Sequence, residues 1–316
     1  MSLEQWETYY RGGMLATYPT AADGGFDREV RDAWVEFFST LPAGARILDV
    51  GTGNGIVAMI AAETALAHGL DWEIDAADLA RIDPMKHVPD AASRLAGITF
   101  HPGVATEHLP FAAESFDAVS GHYSLEYSDT AAALAEIHRV LKPGGSAQFI
   151  LHHADSTLLL SARDTLRESG IALVDTQVFR RLHRLVSMDR IVPGETEEAT
   201  EQLRVAIRTL KHAMEESRLS GTGHVLDVIL DAVQKLLIAR KEMSPTAVGL
   251  EVDRAEAEMR DSMSRLTDLI EHAKSKQGIE VIARDATAAG FQFVEHLPLF
   301  HAGTNLVGWQ LLMQRP

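Results

Sequence analysis

Residues 47–55 read ILDVGTGNG and are followed by IVAMIAA. An apolar run, an acid, three alternating glycines and then a helix-forming stretch describe a strand that turns sharply into a helix. Such a turn commits the chain to an α/β unit. It can hold a dinucleotide pyrophosphate, a nucleoside triphosphate or a ligand with no phosphate at all. In the dinucleotide fingerprint GxGxxG the third glycine lets the helix lie close to the strand. Here Gly51, Gly53 and Gly55 are evenly spaced, and Ile56 stands where that third glycine belongs. The spacing disfavours a nicotinamide oxidoreductase. A P-loop is excluded because no Lys-Ser or Lys-Thr pair follows the glycines. Asp49, just before the turn, is unfavourable beside a pyrophosphate and favourable beside an ammonium group.

The rest of the chain extends this unit. A helix is predicted from Asp27 to about Ser39, with Val30, Trp34, Phe37 and Phe38 on one face. Strands are predicted at ILDV, DWEIDAAD, ITFHPGV, FDAVSGHY and SAQFILHH, with helices at IVAMIAAETALAHG and AAALAEIHRVL, the latter ending at the breaker KPGG. Alternating strands and helices imply parallel pairing by right-handed crossovers, hence a doubly wound α/β sheet. From about 156 to 277 the strand signal disappears. Three long amphipathic helices are predicted there, separated by SGTG and SP, with Leu203, Ile207, Leu210 and Met214 marking one apolar stripe. A helix over GIEVIARDATAAGF and two antiparallel strands, FQFVEHLPLF and NLVGWQLLMQ, then resume the sheet. The expected organisation is a core over 1–155, a helical insertion over 156–277 and the end of the core over 278–316.

Bulk properties narrow the function. Forty-five acidic against 29 basic residues give a formal net charge of -16, which repels polyanions and makes nucleic acid an unexpected partner, although RRLHR (180–184) is locally basic. The absence of cysteine rules out disulfides, thiolate metal sites and a thiol nucleophile, and no metal is expected. The N-terminus lacks a signal-peptide pattern and no apolar run is long enough to span a membrane, so a cytoplasmic protein is expected.

S-Adenosylmethionine matches the chemistry of the turn. Backbone N–H groups and the helix N-terminus favour its carboxylate, Asp49 its amino group, and bare glycines let it approach the backbone. The chain resembles the class I S-adenosylmethionine-dependent methyltransferases, in particular the small-molecule group that includes quinone-biosynthesis methyltransferases. The motifs carrying the resemblance are ILDVGTGNG, EIDAADLA, ATEHLPF ahead of ESFDAV, and EIHRVLKPGG, together covering residues 47–153. The resemblance implies a Rossmann-like, seven-stranded sheet, mostly parallel with an antiparallel final hairpin, plus the inserted α-helical subdomain. It implies a cofactor site built from Asp49, Gly51, Thr52, Gly53 and Gly55, with His122 beside them. Asp78 takes the role of the acid that accepts both ribose hydroxyls. It lies 23 residues beyond Gly55, near the offset of roughly 20 expected for such an acid; Asp75 and Asp83 compete for the role. Leu79 is expected near the adenine. The acid that often receives the adenine amino group is missing, since Val104 or Ala105 stands there, so backbone groups of Ala105 and Thr106 are expected instead.

Methyl transfer needs positioning and exclusion of water, and a base only where the acceptor holds its proton. The resemblance places the acceptor at the end of the fourth strand, so His122 and Tyr123 are candidates for lining the transfer point, with packing side chains as the plainer alternative. His152 is a further candidate. It and His153 end the fifth strand pointing to opposite faces, so they are not expected to share a metal. Tyr9, Tyr10 and Arg11 either fold over the cofactor or cap the first helix. The insertion is expected to be an acceptor lid, a homodimer interface or both; in the alternative of a non-catalytic scaffold that keeps the cofactor fold, it binds a protein partner. Its Met and Leu content suits an acceptor with some apolar bulk and equally a plain helical core. The expected partner is a small-molecule acceptor, with S-adenosylhomocysteine as the product.

Overall fold

The computed structural model describes residues 3–16, 26–190 and 192–316; Tyr18, part of the aromatic N-terminal stretch, lies outside them. Along the chain run α1 (Leu3–Arg11), α2 (Arg28–Ser39), β1 (Arg46–Val50), α3 (Ile56–His68), β2 (Glu73–Asp78) and the short α4 (Pro84–His87) and α5 (Ala91–Arg94). Next come β3 (Ile98–Pro102), β4 (Phe116–His122), a 3-10 turn (Leu125–Tyr127), α6 (Thr130–Val140) and β5 (Leu141–His152). After β5 come α7 (Thr157–Gly170), a π-helical turn (Ile171–Asp175), α8 (Val178–Val186), α9 (Glu195–Leu219), α10 (His224–Ala239) and α11 (Pro245–His272). The chain closes with α12 (Lys276–Ala288), β6 (Phe293–His301) and β7 (Asn305–Gln314).

The seven strands form one sheet in the order β3-β2-β1-β4-β5-β7-β6. Strands β1 to β5 pair in parallel, while β7 runs antiparallel to both β5 and β6. This is the expected doubly wound sheet with an antiparallel final hairpin. Strand order reverses between β1 and β4, and an open α/β sheet binds ligands beyond the strand ends at such a reversal.

Alternation along the strands builds a core on each face of the sheet. Ile47, Ala118 and Ile150 join Trp34, Phe38, Val57 and Ile60, while their neighbours Leu48, Val119 and Leu151 join Leu134, Ile137, Phe149, Ile279 and Phe291. Two helices of the core, α2 and α6, start where a side chain satisfies a free N–H group: Asp27 accepts from Val30 N at 3.0 Å and Asp129 from Ala132 N at 3.2 Å.

The chain divides into two compact units, Met1–Leu159 with Glu271–Pro316, and Leu160–Ile270. The second has its own core, in which Leu203, Ala206 and Leu210 of α9 meet Leu226, Ile229 and Val233 of α10, Val248 and Val252 of α11, and Phe179, Leu182 and Val186 of α8. Spacings of three and four place each set on one helix face. No helix among the described residues is long and apolar enough to cross a membrane.

The structure departs locally from the sequence expectations. The N-terminal stretch forms α1, and α7 and α8 precede the three long helices. KPGG is not a break ahead of β5 but lies inside it, because the pairing with β4 shifts register between Phe116 and Ala118 and absorbs the extra residues as a bulge does. Leu134 is fully buried, whereas Leu66 is 83% exposed. Leu134→Ala is expected to cost about 3 kcal/mol, and Leu66→Ala under about 0.5 kcal/mol, in urea denaturation followed by the fluorescence of the buried Trp34.

Candidate functional site

The C-terminal ends of β1, β2 and β4 meet at the glycine turn. Asp49, 1% exposed, accepts from Ser120 Oγ of β4 at 2.8 Å and from Thr52 Oγ1 at 2.6 Å. Burial outweighs these bonds and raises its pKa to about 7. Asp78 ends β2. Its Oδ2 accepts from Gly53 N at 2.8 Å and its Oδ1 from Ala80 N at 2.8 Å, while burial raises its pKa to about 6. Of its competitors, Asp75 is held by Arg46 at 2.8 Å and His101 at 2.7 Å, and Asp83 accepts through its backbone carbonyl from Lys86 N and His87 N at the start of α4.

The glycines are required by close approach. Gly51 has φ +62°, and a Cβ there would fall 2.3 Å from Ser124 Cβ; at Gly53, with φ +55°, it would fall 2.7 Å from the Tyr10 ring. Tyr10 thus lies on the turn, and burial followed by the nearby Asp78 charge pushes its phenol pKa well up, keeping it neutral. Asn54 ties α1 down through Nδ2, which donates to Tyr10 O at 2.9 Å and Met14 O at 2.8 Å. Tyr9 instead donates to Ala16 O, and the exposed Arg11 pairs with Glu7. Two polar atoms at the turn, Asn54 Oδ1 and Ser124 Oγ, are buried without a hydrogen-bond partner, which suits a polar ligand with donors and acceptors of its own. Leu79 is 40% exposed beside Asp78. Ala105 and Thr106 follow β3 on a loop joined to β2 where Val104 N donates to Asp78 O at 2.8 Å.

Beyond the turn lie the remaining candidates, His122, Tyr123 and His152. His122 Nδ1 accepts from Trp34 Nε1 at 3.2 Å, and its ring stacks on Phe26 at 4.2 Å. Burial, then the neighbouring His152, lowers its pKa well below the usual value. A neutral ring that accepts at Nδ1 carries its proton on Nε2 and offers a donor there. Tyr123 adopts φ +51°, an uncommon conformation for a non-glycine residue. Its ring lies flat on His152 at 3.7 Å and its hydroxyl donates to Val307 O at 2.9 Å. A cavity of about 260 Å³ opens beside these residues, lined among others by Phe26, Val30, His122, Tyr123, Leu158 and Val307. At its edge His301 Nδ1 bonds Glu29 Oε2 at 3.0 Å and lies 3.1 Å from Asp27 Oδ2. His152 Nδ1 bonds Glu126 Oε1 at 2.8 Å. His153 stacks on Trp309 at 4.4 Å.

Several of these residues escape sequence reasoning. Ser120 and Phe26 sit in unremarkable local sequence, and only the fold brings them to the turn and cavity. Glu126 had a weak signal, as a charged residue within the apolar and aromatic SLEY just past a predicted strand.

Comparison with known proteins places the chain. Residues 48–149 match the family described as "Methyltransferase domain". Over 106 residues the chain is 37% identical to a demethylmenaquinone methyltransferase of Chlorobaculum parvum, covering 33% of this chain and 40% of that protein. Over 108 residues it is 35% identical to a ubiquinone/menaquinone biosynthesis C-methyltransferase of Desulfotalea psychrophila, again covering 33% and 40%. The chain thus spans about two fifths of the length of these curated relatives. Among solved structures, an S-adenosylmethionine-dependent methyltransferase from Mesorhizobium loti aligns at 25% identity and TM-score 0.30 over 40% of this chain and 54% of that one.

The two acids generate a pH test. Both have folded-state pKa values above the 3.8 of an ordinary aspartate, so the folded chain keeps protons that the unfolded chain has released. These two acids therefore contribute a loss of stability to the ligand-free protein as pH rises from about 4 to about 7. Asp49→Asn is expected to flatten the upper part of this loss in thermal melts between about pH 5 and pH 8; a variant that parallels wild type would contradict the assignment.

Proposed function

We propose, from the premise that residues 48–149 are a class I S-adenosylmethionine-dependent methyltransferase domain, that the chain methylates a small aromatic, quinol-like acceptor. The observation that carries the acceptor reading is the placement of residues 122–124. Ser124 touches Gly51 of the turn, while His122 and Tyr123 line the cavity, so one short segment borders both binding regions. The cavity, about 260 Å³ with largely aromatic and aliphatic walls, is close to the range of roughly 300–1,000 Å³ seen for small-molecule sites. The curated quinone methyltransferases cited above support the choice of ring system, and the net charge of -16 argues against nucleic acid.

The residues fit the cofactor. Asp78, anchored by two backbone N–H groups, keeps lone pairs for the ribose hydroxyls, with Leu79 beside the adenine and backbone groups of Ala105 and Thr106 at its edge. Asp49 supplies the charge that an ammonium group would draw into its ionised form. S-Adenosylmethionine, when bound, supplies an electrophilic methyl group on a positive sulfur. Tyr10 walls the turn, and the aromatic surround of His122 and Tyr123 excludes water and orients the acceptor. His122 Nε2–H acts as a donor to an acceptor oxygen. The helices of Leu160–Ile270 are assigned to acceptor closure, self-association or both, and a cytoplasmic location belongs to the same reading.

S-Adenosylhomocysteine is expected to raise the melting temperature of the protein while NAD leaves it unchanged. Asp78→Ala is expected to weaken S-adenosylhomocysteine binding at least about tenfold, or roughly 1.4 kcal/mol, by calorimetry. Stabilisation by NAD alone would overturn the reading.

A further inference from the structure

Glu126 is 2% exposed and His152 4%. The carboxylate accepts twice through Oε1, from His152 N at 2.8 Å and from His152 Nδ1 at 2.8 Å, while its Oε2 is buried with no hydrogen-bond partner. A buried carboxylate is costly unless paired, and this one is paired to a single imidazole through one oxygen. With Nδ1 donating to Glu126, a neutral His152 ring carries its lone pair on Nε2. Nε2 makes no hydrogen bond among the described residues and is not among their sealed, unpartnered polar atoms.

The position of this pair gives it a purpose. Gly53 packs against Tyr10, Tyr10 stacks on Trp6 at 6.1 Å, Trp6 meets Tyr127 edge-on at 6.2 Å, and Tyr127 meets His152 edge-on at 6.0 Å. On its other side His152 is stacked by Tyr123, which lines the cavity. Ring contacts therefore link His152 to the glycine turn through Tyr127, Trp6 and Tyr10, and to the cavity through Tyr123, one of its wall residues. His122, its neighbour, cannot serve as the base through Nδ1, because the Trp34 indole already donates to that atom.

We propose that His152 Nε2 is the base that takes a proton from a phenolic acceptor, and that Glu126 is the positioning residue that fixes its tautomer. This rests on the methyltransferase reading above. As the acceptor O–H breaks, its electron pair stays on the acceptor and becomes the new bond to the methyl carbon, directly at oxygen or through the ring. The carbon–sulfur pair returns to sulfur, and the proton passes to Nε2 and on to solvent; a ring-methylated intermediate releases its ring proton and regains one at oxygen. A plain structural role, in which Glu126 only ties the 3-10 turn to β5, is the alternative.

The test uses the full chain with 1,4-dihydroxynaphthalene and a panel of related phenols as acceptors. His152→Asn and Glu126→Gln are expected to lower turnover about 10²-fold or more and about tenfold, respectively, with S-adenosylhomocysteine affinity kept within about threefold by calorimetry. The double variant is expected to be no slower than His152→Asn alone, since the two residues act as a unit. The acid limb of the pH–rate profile should move to lower pH in Glu126→Gln. In ¹⁵N-histidine NMR, wild type should show the Nδ1–H tautomer of His152 and Glu126→Gln a mixture. Glu126→Asp, which keeps the charge, should restore part of the rate. The proposal is overturned by an Nε2–H tautomer in wild type, by independent multiplicative losses, by an unshifted acid limb, or by a wild-type protein that binds S-adenosylhomocysteine yet methylates no phenol. Failure to bind S-adenosylhomocysteine would instead sink the underlying methyltransferase reading.

Discussion

Asp49 is the pin on which the site hangs. It lies one residue before the end of β1, at the place where strand order reverses, and it is bonded at once to Ser120 on β4 and Thr52 in the glycine turn. β1 and β4 feed chain in opposite directions beyond this point, which opens a crevice in any doubly wound sheet. Bridging the two strands with a buried carboxylate fixes the edge of that crevice. The cost is an acid whose ionisation burial opposes, and it is relieved only by partners that favour its charged form.

From that pin the turn is held by its neighbours rather than by its own side chains. Asp78 captures Gly53 N–H, which removes that donor from ligand binding and leaves the turn rigid. Tyr10 packs at Gly53 and Ser124 at Gly51, in spaces that only glycine leaves open. Asn54 then draws α1 over the assembly. The result is a site preorganised by packing, the condition under which positioning contributes most to rate.

Much of the fold was legible because periodicity and turn chemistry agreed. The run of Val30, Trp34, Phe37 and Phe38 after Asp27 identified α2, and NLVGWQLLMQ coincides with β7. KPGG misled because proline and glycine read locally as a break, whereas the register shift against β4 lets the strand carry them. α1 was missed because its three aromatic residues pack against the turn and Ala80, Ile82 and Phe100, contacts that no local pattern encodes. At the site, the expectation for Asp78 came from the family resemblance together with its offset from the glycines, and the structure sets its carboxylate on Gly53 N–H. Ser120 and Glu126 carried no such offset, since their importance arises from neighbouring strands brought together by the sheet.

The most direct measurement is a crystal structure of the chain with S-adenosylhomocysteine. It is expected to show both ribose hydroxyls on the Asp78 carboxylate, the methionine end over Gly51 and Thr52 near Asp49, and the sulfur facing residues 122–124. A ligand bound elsewhere, or an Asp78 carboxylate that makes no ribose contact, would contradict the account.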